Sequence, residues 1–132
     1  MTRRDARELA FILLFEKSFT DYPMKDILIN AGEARDVEAN SFALSLAEGA
    51  DGHIDEIDRV ISNHSHNWNK GRISRVALAI LRLAVFEMHF VKDIPVSVSI
   101  NEAVELAKKY GGEEDSGFVN GVLGGVARRN GE

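Results

Sequence analysis

At 132 residues, 45% of them hydrophobic, the chain is long enough to bury one compact core, and it contains no cysteine. That composition excludes disulfides, thiolate nucleophiles and cysteine-ligated metal sites, and it leaves a cytoplasmic protein as our expectation. A net charge of −5 argues against non-specific nucleic-acid binding, so any nucleic-acid function depends on where the cations lie.

The N-terminal quarter predicts two helices. Apolar residues recur at three- and four-residue spacings over residues 4–19, which is typical of an amphipathic helix. Residues 21–23 (DYP) interrupt that pattern. A short second helix is predicted over residues 24–31, where Gly32 can terminate it.

Two further helices are predicted in the acidic middle of the chain. Asp36 is a good N-cap for the third helix, which Asp51 and Gly52 interrupt. A fourth helix begins at Ile54 and decays into a polar run beside Trp68.

The fifth predicted helix is the central one, because apolar residues cover most of its circumference. Ser74 can cap it. Its apolar stretch, residues 76–91, is too short to span a bilayer comfortably and contains Arg82, so we predict no membrane association. We expect Arg82 to form a buried ion pair with Glu102 or Glu105.

The last two helices are predicted from their capping signals. Residues 99–102 (SINE) have the form of a capping box that opens a sixth helix, and Gly111 and Gly112 stop it. Ser116 is the predicted N-cap of the seventh helix.

The fold class that follows is all-α. We expect about seven helices in two packed helical bundles within one domain, divided at about residues 1–51 and 52–132 and meeting near Trp68.

No catalytic, metal or cofactor site is predicted. His64 and His66 are two residues apart, so on a helix they point about 200° away from each other. Glu102 and Glu105 fit a cap and a solvated acid better than an acid–base pair. The C-terminal glycines lack the lysine of a phosphate-binding loop, and no predicted strand precedes them.

Four runs in the C-terminal half, in this order and spacing, carry a resemblance to a known family. They are residues 80–84 (ILRLA), 94–95 (IP), 100–111 (INEAVELAKKYG) and 118–123 (FVNGVL). Together with the arginine-rich opening at residues 3–10 (RRDARELA), they resemble the NusB family over nearly the whole chain.

The resemblance implies two helical bundles set across each other, no catalytic activity and a heterodimer with the ribosomal protein NusE. It also implies that this pair binds the single-stranded boxA element of nascent rRNA leader RNA within an RNA polymerase antitermination complex. Three positions depart from the family: Gly117 replaces a usual lysine, Ala77 replaces a frequent acid, and His64 stands where a tyrosine is frequent.

Three arginines are candidates for RNA phosphates. Arg3 and Arg7 share one face of the first helix and Arg4 lies beside it. If each neutralises one phosphate, the log–log salt slope is near −2, from roughly −0.7 per contact. The alternative is a solvated helix end with Arg4 paired to Glu8.

Two rings are candidates for stacking on RNA bases. Phe118 is predicted near a helix start, where it could be exposed, and His64 can stack although it offers less surface than tyrosine. Core packing of Phe118 is an equally good interpretation without the family pattern.

The expected partner-binding residues are Glu113, Glu114, Asp115, Arg75 and Tyr110. The three acids suit a basic partner protein, and they also suit a solvated helix start.

Two other functions stay open. A similar domain begins an rRNA cytosine methyltransferase, but no cofactor-binding strand–turn–helix pattern follows here. The second alternative is a purely structural helical bundle that self-associates, for instance as a homodimer.

Overall fold

The computed structural model describes residues 2–34, 41–65 and 73–129, and within them the chain forms seven α-helices and no strand. The predicted all-α class is therefore confirmed. Asp36, His66 and Trp68 lie outside the described residues. The helices are α1 (Arg3–Lys17), α2 (Met24–Ala34), α3 (Ser41–Gly52), α4 (Ile54–Asn63), α5 (Arg75–Phe90), α6 (Val96–Tyr110) and α7 (Glu113–Arg129).

Helix α1 begins at a reciprocal capping box. The Thr2 hydroxyl accepts a hydrogen bond from the Asp5 N–H, and the Asp5 carboxylate accepts one from the Thr2 N–H, both at 3.1 Å. The bond from the Thr2 backbone lowers the pKa of Asp5. An ionised Asp5 in the first turn partly offsets the unfavourable position of Arg3 and Arg4 at the positive end of the helix dipole.

The predicted start of α5 is correct, and the predicted end of α2 is wrong. The Ser74 side chain accepts a hydrogen bond from the Ala77 N–H at 3.0 Å, as expected of an N-cap. Helix α2 continues past Gly32 to Ala34, because an isolated glycine weakens a helix without necessarily ending it.

Two predicted N-caps are wrong. Helix α6 begins one turn early, at Val96 after Pro95, whose φ of −59° is already suited to a helix start. Ser99 is instead buried inside α6. Helix α7 begins at Glu113, so Ser116 lies within it; the side chain that caps this turn is Asp115, which accepts from the Gly112 N–H at 2.9 Å.

Helix α5 is the centre of the fold. It packs against α1, α3, α4, α6 and α7, and the buried side chains of these helices form one continuous apolar cluster. None of the described helices combines the length and apolar character needed to cross a membrane. The predicted division into two bundles near residue 51 stays a prediction.

Arg82 links α5 to α4. Its Nε and Nη2 atoms each donate to the Asp58 carboxylate at 2.9 Å. The prediction that Arg82 pairs with Glu102 or Glu105 is wrong, because α4 packs directly against α5 on the side where Arg82 lies.

The approach of α3 to α5 at Gly49 yields a first prediction. A Cβ atom added at Gly49 would lie 2.1 Å from Cζ of Phe86, whose ring stacks on Phe90 at 5.2 Å, so that moving the ring away disturbs this stack. We expect Gly49→Ala to lower the free energy of unfolding by about 1–3 kcal/mol in a urea titration. Alanine's better helix propensity offsets at most about 1 kcal/mol of that loss.

The matched control is Gly121→Ala, in the middle of α7, where an added Cβ has no neighbour within 4 Å. This variant should be more stable by about 0.5–1 kcal/mol. Stabilisation by both substitutions would contradict the close approach at Gly49.

Candidate nucleic-acid interface

A groove of about 250 Å³ lies between α1 and α6, near the N-terminal end of α1. Charged side chains of both signs line it. They are Arg4, Arg7, Glu8, Glu102, Glu105 and Lys109. Two of the three arginines predicted to bind RNA therefore border one groove.

Two ion pairs, which we call the α1–α6 ion pairs, join the helices across this groove. Arg4 Nε lies 3.1 Å from Oε2 of Glu102, and Lys109 Nζ lies 2.7 Å from Oε2 of Glu8. The hydrogen bond that Lys109 donates to the Glu8 carboxylate raises the pKa of Lys109. The predicted alternative pairing of Arg4 with Glu8 is wrong, because Glu8 contacts Lys109.

Arg7 is almost completely shielded from solvent, which contradicts the accessible position expected for it. Its residue is only 5% exposed, and its Nε donates to both carboxylate oxygens of Glu87 at 2.9 and 3.0 Å. The Ser99 hydroxyl donates to the same carboxylate at 3.1 Å. Arg7 thus lies on the face of α1 that packs on α5, and its charge is neutralised inside the core.

Arg3 stays at the surface and is held by an aromatic ring. Its guanidinium carbon lies 4.4 Å from the centroid of Phe42, and that of Arg7 lies 5.8 Å from the same ring. Such a contact orients a cation without neutralising it. Arg3 and Arg4 are therefore the two predicted arginines that solvent, and hence a phosphate, can reach.

The two candidate stacking rings both pack against protein. His64 ends α4 and is half-buried; a Cβ at Gly125 would lie 3.0 Å from its Nδ1, so its ring lies against α7. Phe118 is 8% exposed and belongs to the core. Because α7 begins at Glu113, Phe118 is the sixth helical residue rather than an exposed residue of the first turn.

A second surface is marked by aromatic rings along α1. We call it the aromatic row, and it consists of Tyr110, Phe11, Phe15 and Phe19, whose successive centroids are 5.0, 6.0 and 4.8 Å apart. Its two ends are open to solvent, since Tyr110 is 37% and Phe19 58% exposed. Partial burial raises the pKa of Tyr110.

Arg75 adjoins the Phe19 end of this row, and the residue before it contacts the acidic start of α7. The Arg75 guanidinium lies 4.5 Å from the Phe19 centroid and donates to the Ser18 carbonyl at 2.7 Å. Next to Arg75 in the chain, the Ser74 hydroxyl donates to Asp115 at 3.2 Å. This bond ties the start of α7 to the start of α5.

The remaining residues singled out from the sequence differ in their exposure. Glu113 and Glu114 are exposed, as is Gly117, whereas Ala77 is fully buried. In the part of the chain that the structure describes, no group of three or more His, Asp or Glu side chains is arranged to hold a metal ion.

Sequence reasoning missed the residues that contact the arginines. These are Phe42 at Arg3, Glu102 at Arg4, Glu87 at Arg7 and Asp58 at Arg82. One signal was available: Glu87 is the only acid in residues 61–92, within the most apolar helix, and a buried carboxylate requires a cation.

Comparison with known proteins gives a consistent result. A sequence model of the NusB family matches residues 4–128. The chain is 46% identical over 131 residues to the transcription antitermination protein NusB of Myxococcus xanthus, covering 95% of this chain and 94% of that one. It is 42% identical over 126 residues to NusB of Bacillus subtilis, covering 96% and 95%.

Solved structures agree with the sequence comparison. NusB of T. maritima superposes with a TM-score of 0.87 at 38% identity, covering 97% of this chain and 92% of that one. A structure of the antitermination factors NusB and NusE in complex with dsRNA superposes with a TM-score of 0.85 at 30% identity, covering 96% of each chain.

Proposed function

The chain belongs to the NusB family, and on that premise we propose that it is a transcription antitermination factor that binds boxA RNA of the rRNA leader as a heterodimer with NusE. It has no catalytic role in this proposal, and it acts in the cytoplasm within the RNA polymerase antitermination complex. The observation that carries the RNA-binding part is the pair of exposed arginines at the start of α1, Arg3 and Arg4, of which Arg4 borders the groove.

Arg3 and Arg4 contact RNA phosphates in this proposal, and His64 adds a ring at the end of α4. Arg7 and Phe118 would have to leave the core to touch RNA. We therefore assign them a supporting role: Arg7 fixes α1 on α5, and Phe118 fixes the first turns of α7.

NusE binds at the aromatic row and the acidic start of α7. Exposed aromatic rings are enriched at protein interfaces, and Phe19 and Tyr110 supply two of them beside Arg75. Glu113 and Glu114 are exposed and free to attract a basic ribosomal protein. Asp115 holds this surface together through Ser74.

The chain alone should bind RNA weakly. Only two of the candidate arginines are exposed and the net charge is −5, so phosphate attraction must be supplemented by the partner. Titration of boxA-like, scrambled and duplex RNA, with and without NusE, tests this directly. We expect weak binding of all three RNAs by the chain alone. With NusE present, we expect the boxA-like single strand to bind tightest. Equal binding of all three RNAs would contradict the proposal, and size-exclusion of the same samples distinguishes heterodimer from homodimer.

The salt dependence tests the assignment of the arginines. With two phosphate contacts rather than three, the log–log slope contributed by this chain should be about −1.4, at roughly −0.7 per contact on a single strand. Arg3→Ala and Arg4→Ala should each flatten the slope by about 0.7. Lys25→Ala, an exposed cation on α2 at the far end of α1, is the control and should leave it unchanged. A slope insensitive to Arg3→Ala and Arg4→Ala would remove both from the RNA face.

A further inference from the structure

The exposed cations of the groove are already in contact with carboxylates of the same chain. Arg4 pairs with Glu102, and Lys109 pairs with Glu8. A carboxylate and a phosphodiester present the same kind of oxygen acceptor to a guanidinium. An RNA phosphate that approaches Arg4 therefore meets a site where an internal anion is already bound.

The two members of the Arg4–Glu102 pair differ in how freely they can move. The Arg4 side chain is 71% exposed, whereas that of Glu102 is only 18% exposed. The arginine can therefore rotate toward a ligand in solvent while the glutamate stays in the groove wall. Exchange of partners costs the ion pair but requires no movement of α1 or α6.

We propose that Glu102 is an internal competitor for RNA phosphate at Arg4 and thereby sets the affinity of the RNA-binding face. This inference rests on the proposed function. In the absence of RNA, Glu102 holds Arg4 against α6. On binding, a phosphate takes the place of Glu102, and the carboxylate left in the groove opposes the bound strand.

Glu105, one turn further along α6, provides the contrast. It lines the same groove and carries the same charge, but it is 57% exposed and pairs with Lys108 of its own helix at 3.6 Å. Water already solvates both partners of that pair, so its contribution is small. Neutralising Glu105 removes a nearby negative charge without releasing Arg4.

Competition at Arg4 lowers the affinity for every RNA without changing the preference among RNA sequences. Every RNA must displace Glu102 in the same way, so the cost is common to boxA-like and unrelated sequences. Glu102 therefore lowers the affinity for all RNAs by the same factor and leaves the ratio of these affinities unchanged. Its benefit is to keep non-specific RNA binding too weak to compete with binding of the boxA-like RNA.

The test is a fluorescence titration of a boxA-like RNA oligonucleotide and of a scrambled one, in the presence of NusE, with Glu102→Gln and Glu105→Gln. Because an ion pair of this exposure is worth little, Glu102→Gln should bind both RNAs roughly two- to fivefold tighter than the unmodified chain, with their ratio unchanged. Glu105→Gln should give a clearly smaller gain. In an Arg4→Ala background the gain from Glu102→Gln should fall to about the size of that from Glu105→Gln, which should itself persist, because only general charge repulsion is then left to remove.

The outcomes separate this inference from the function on which it rests. An unmodified chain that binds boxA-like RNA no better than scrambled RNA would overturn the proposed function, and the inference with it. If the unmodified chain prefers boxA-like to scrambled RNA but Glu102→Gln binds RNA no tighter than Glu105→Gln, the inference alone would be overturned. A gain from Glu102→Gln that is undiminished in the Arg4→Ala background would also overturn it. Thermal melts of each variant establish that the comparison is made between folded proteins.

Discussion

Glu87→Ala is expected to lower the free energy of unfolding by about 3–5 kcal/mol, because it leaves a buried guanidinium without its counter-charge. The side chains of Arg7 and Glu87 are only 6% and 2% exposed, and they meet at 2.8 Å. Water cannot replace the lost carboxylate at that depth. The measurement is a urea titration followed by circular dichroism.

The control removes both charges at once. In Arg7→Met/Glu87→Leu no ion remains buried, so most of the stability lost in Glu87→Ala should return, except for the acceptor that Ser99 loses. Equal destabilisation of the single and double variants would show that the site depends on the pair itself.

The double variant also tests how Arg7 serves RNA binding. If Arg7 only fixes α1 on α5, the folded double variant keeps the salt slope of the unmodified chain. A slope flattened by about 0.7 would instead restore Arg7 as a phosphate contact.

The existence of the helices could be predicted from local patterns, whereas the residues at which they begin and end were predicted less well. Periodicity identified α5 as the central helix because its apolar residues surround it, and Ser74 capped it as expected. The start of α6 was missed because a capping-box pattern at Ser99 competes with Pro95, whose fixed φ begins the helix first. Ser99 then serves a buried carboxylate instead.

The site could be predicted only in part, since it depends on contacts between distant residues. Spacing correctly placed Arg3, Arg4 and Arg7 on neighbouring positions of α1. It did not indicate which of them packs on α5, although Arg7 lies between the buried Ala6 and Ala10. A pairing across 80 residues, such as that with Glu87, is not encoded in any local pattern.

Phe118→Ala is expected to lower the free energy of unfolding by about 3–5 kcal/mol, the cost of emptying a buried phenylalanine site. Phe118 is 8% exposed and belongs to the apolar cluster. The folded fraction of this variant should bind boxA-like RNA with unchanged affinity, because the ring faces the protein.

Phe118→Leu distinguishes packing from base stacking, because leucine fills most of the volume but has no aromatic face. If Phe118 is a packing residue, this variant should lose less than about 1.5 kcal/mol of stability and bind RNA normally. If the ring stacks on a base, the variant should fold yet bind RNA about 1–3 kcal/mol more weakly, with the salt slope unchanged. Melting curves and RNA titrations of the same samples decide between the two, and normal folding with that loss of affinity would return Phe118 to the RNA face.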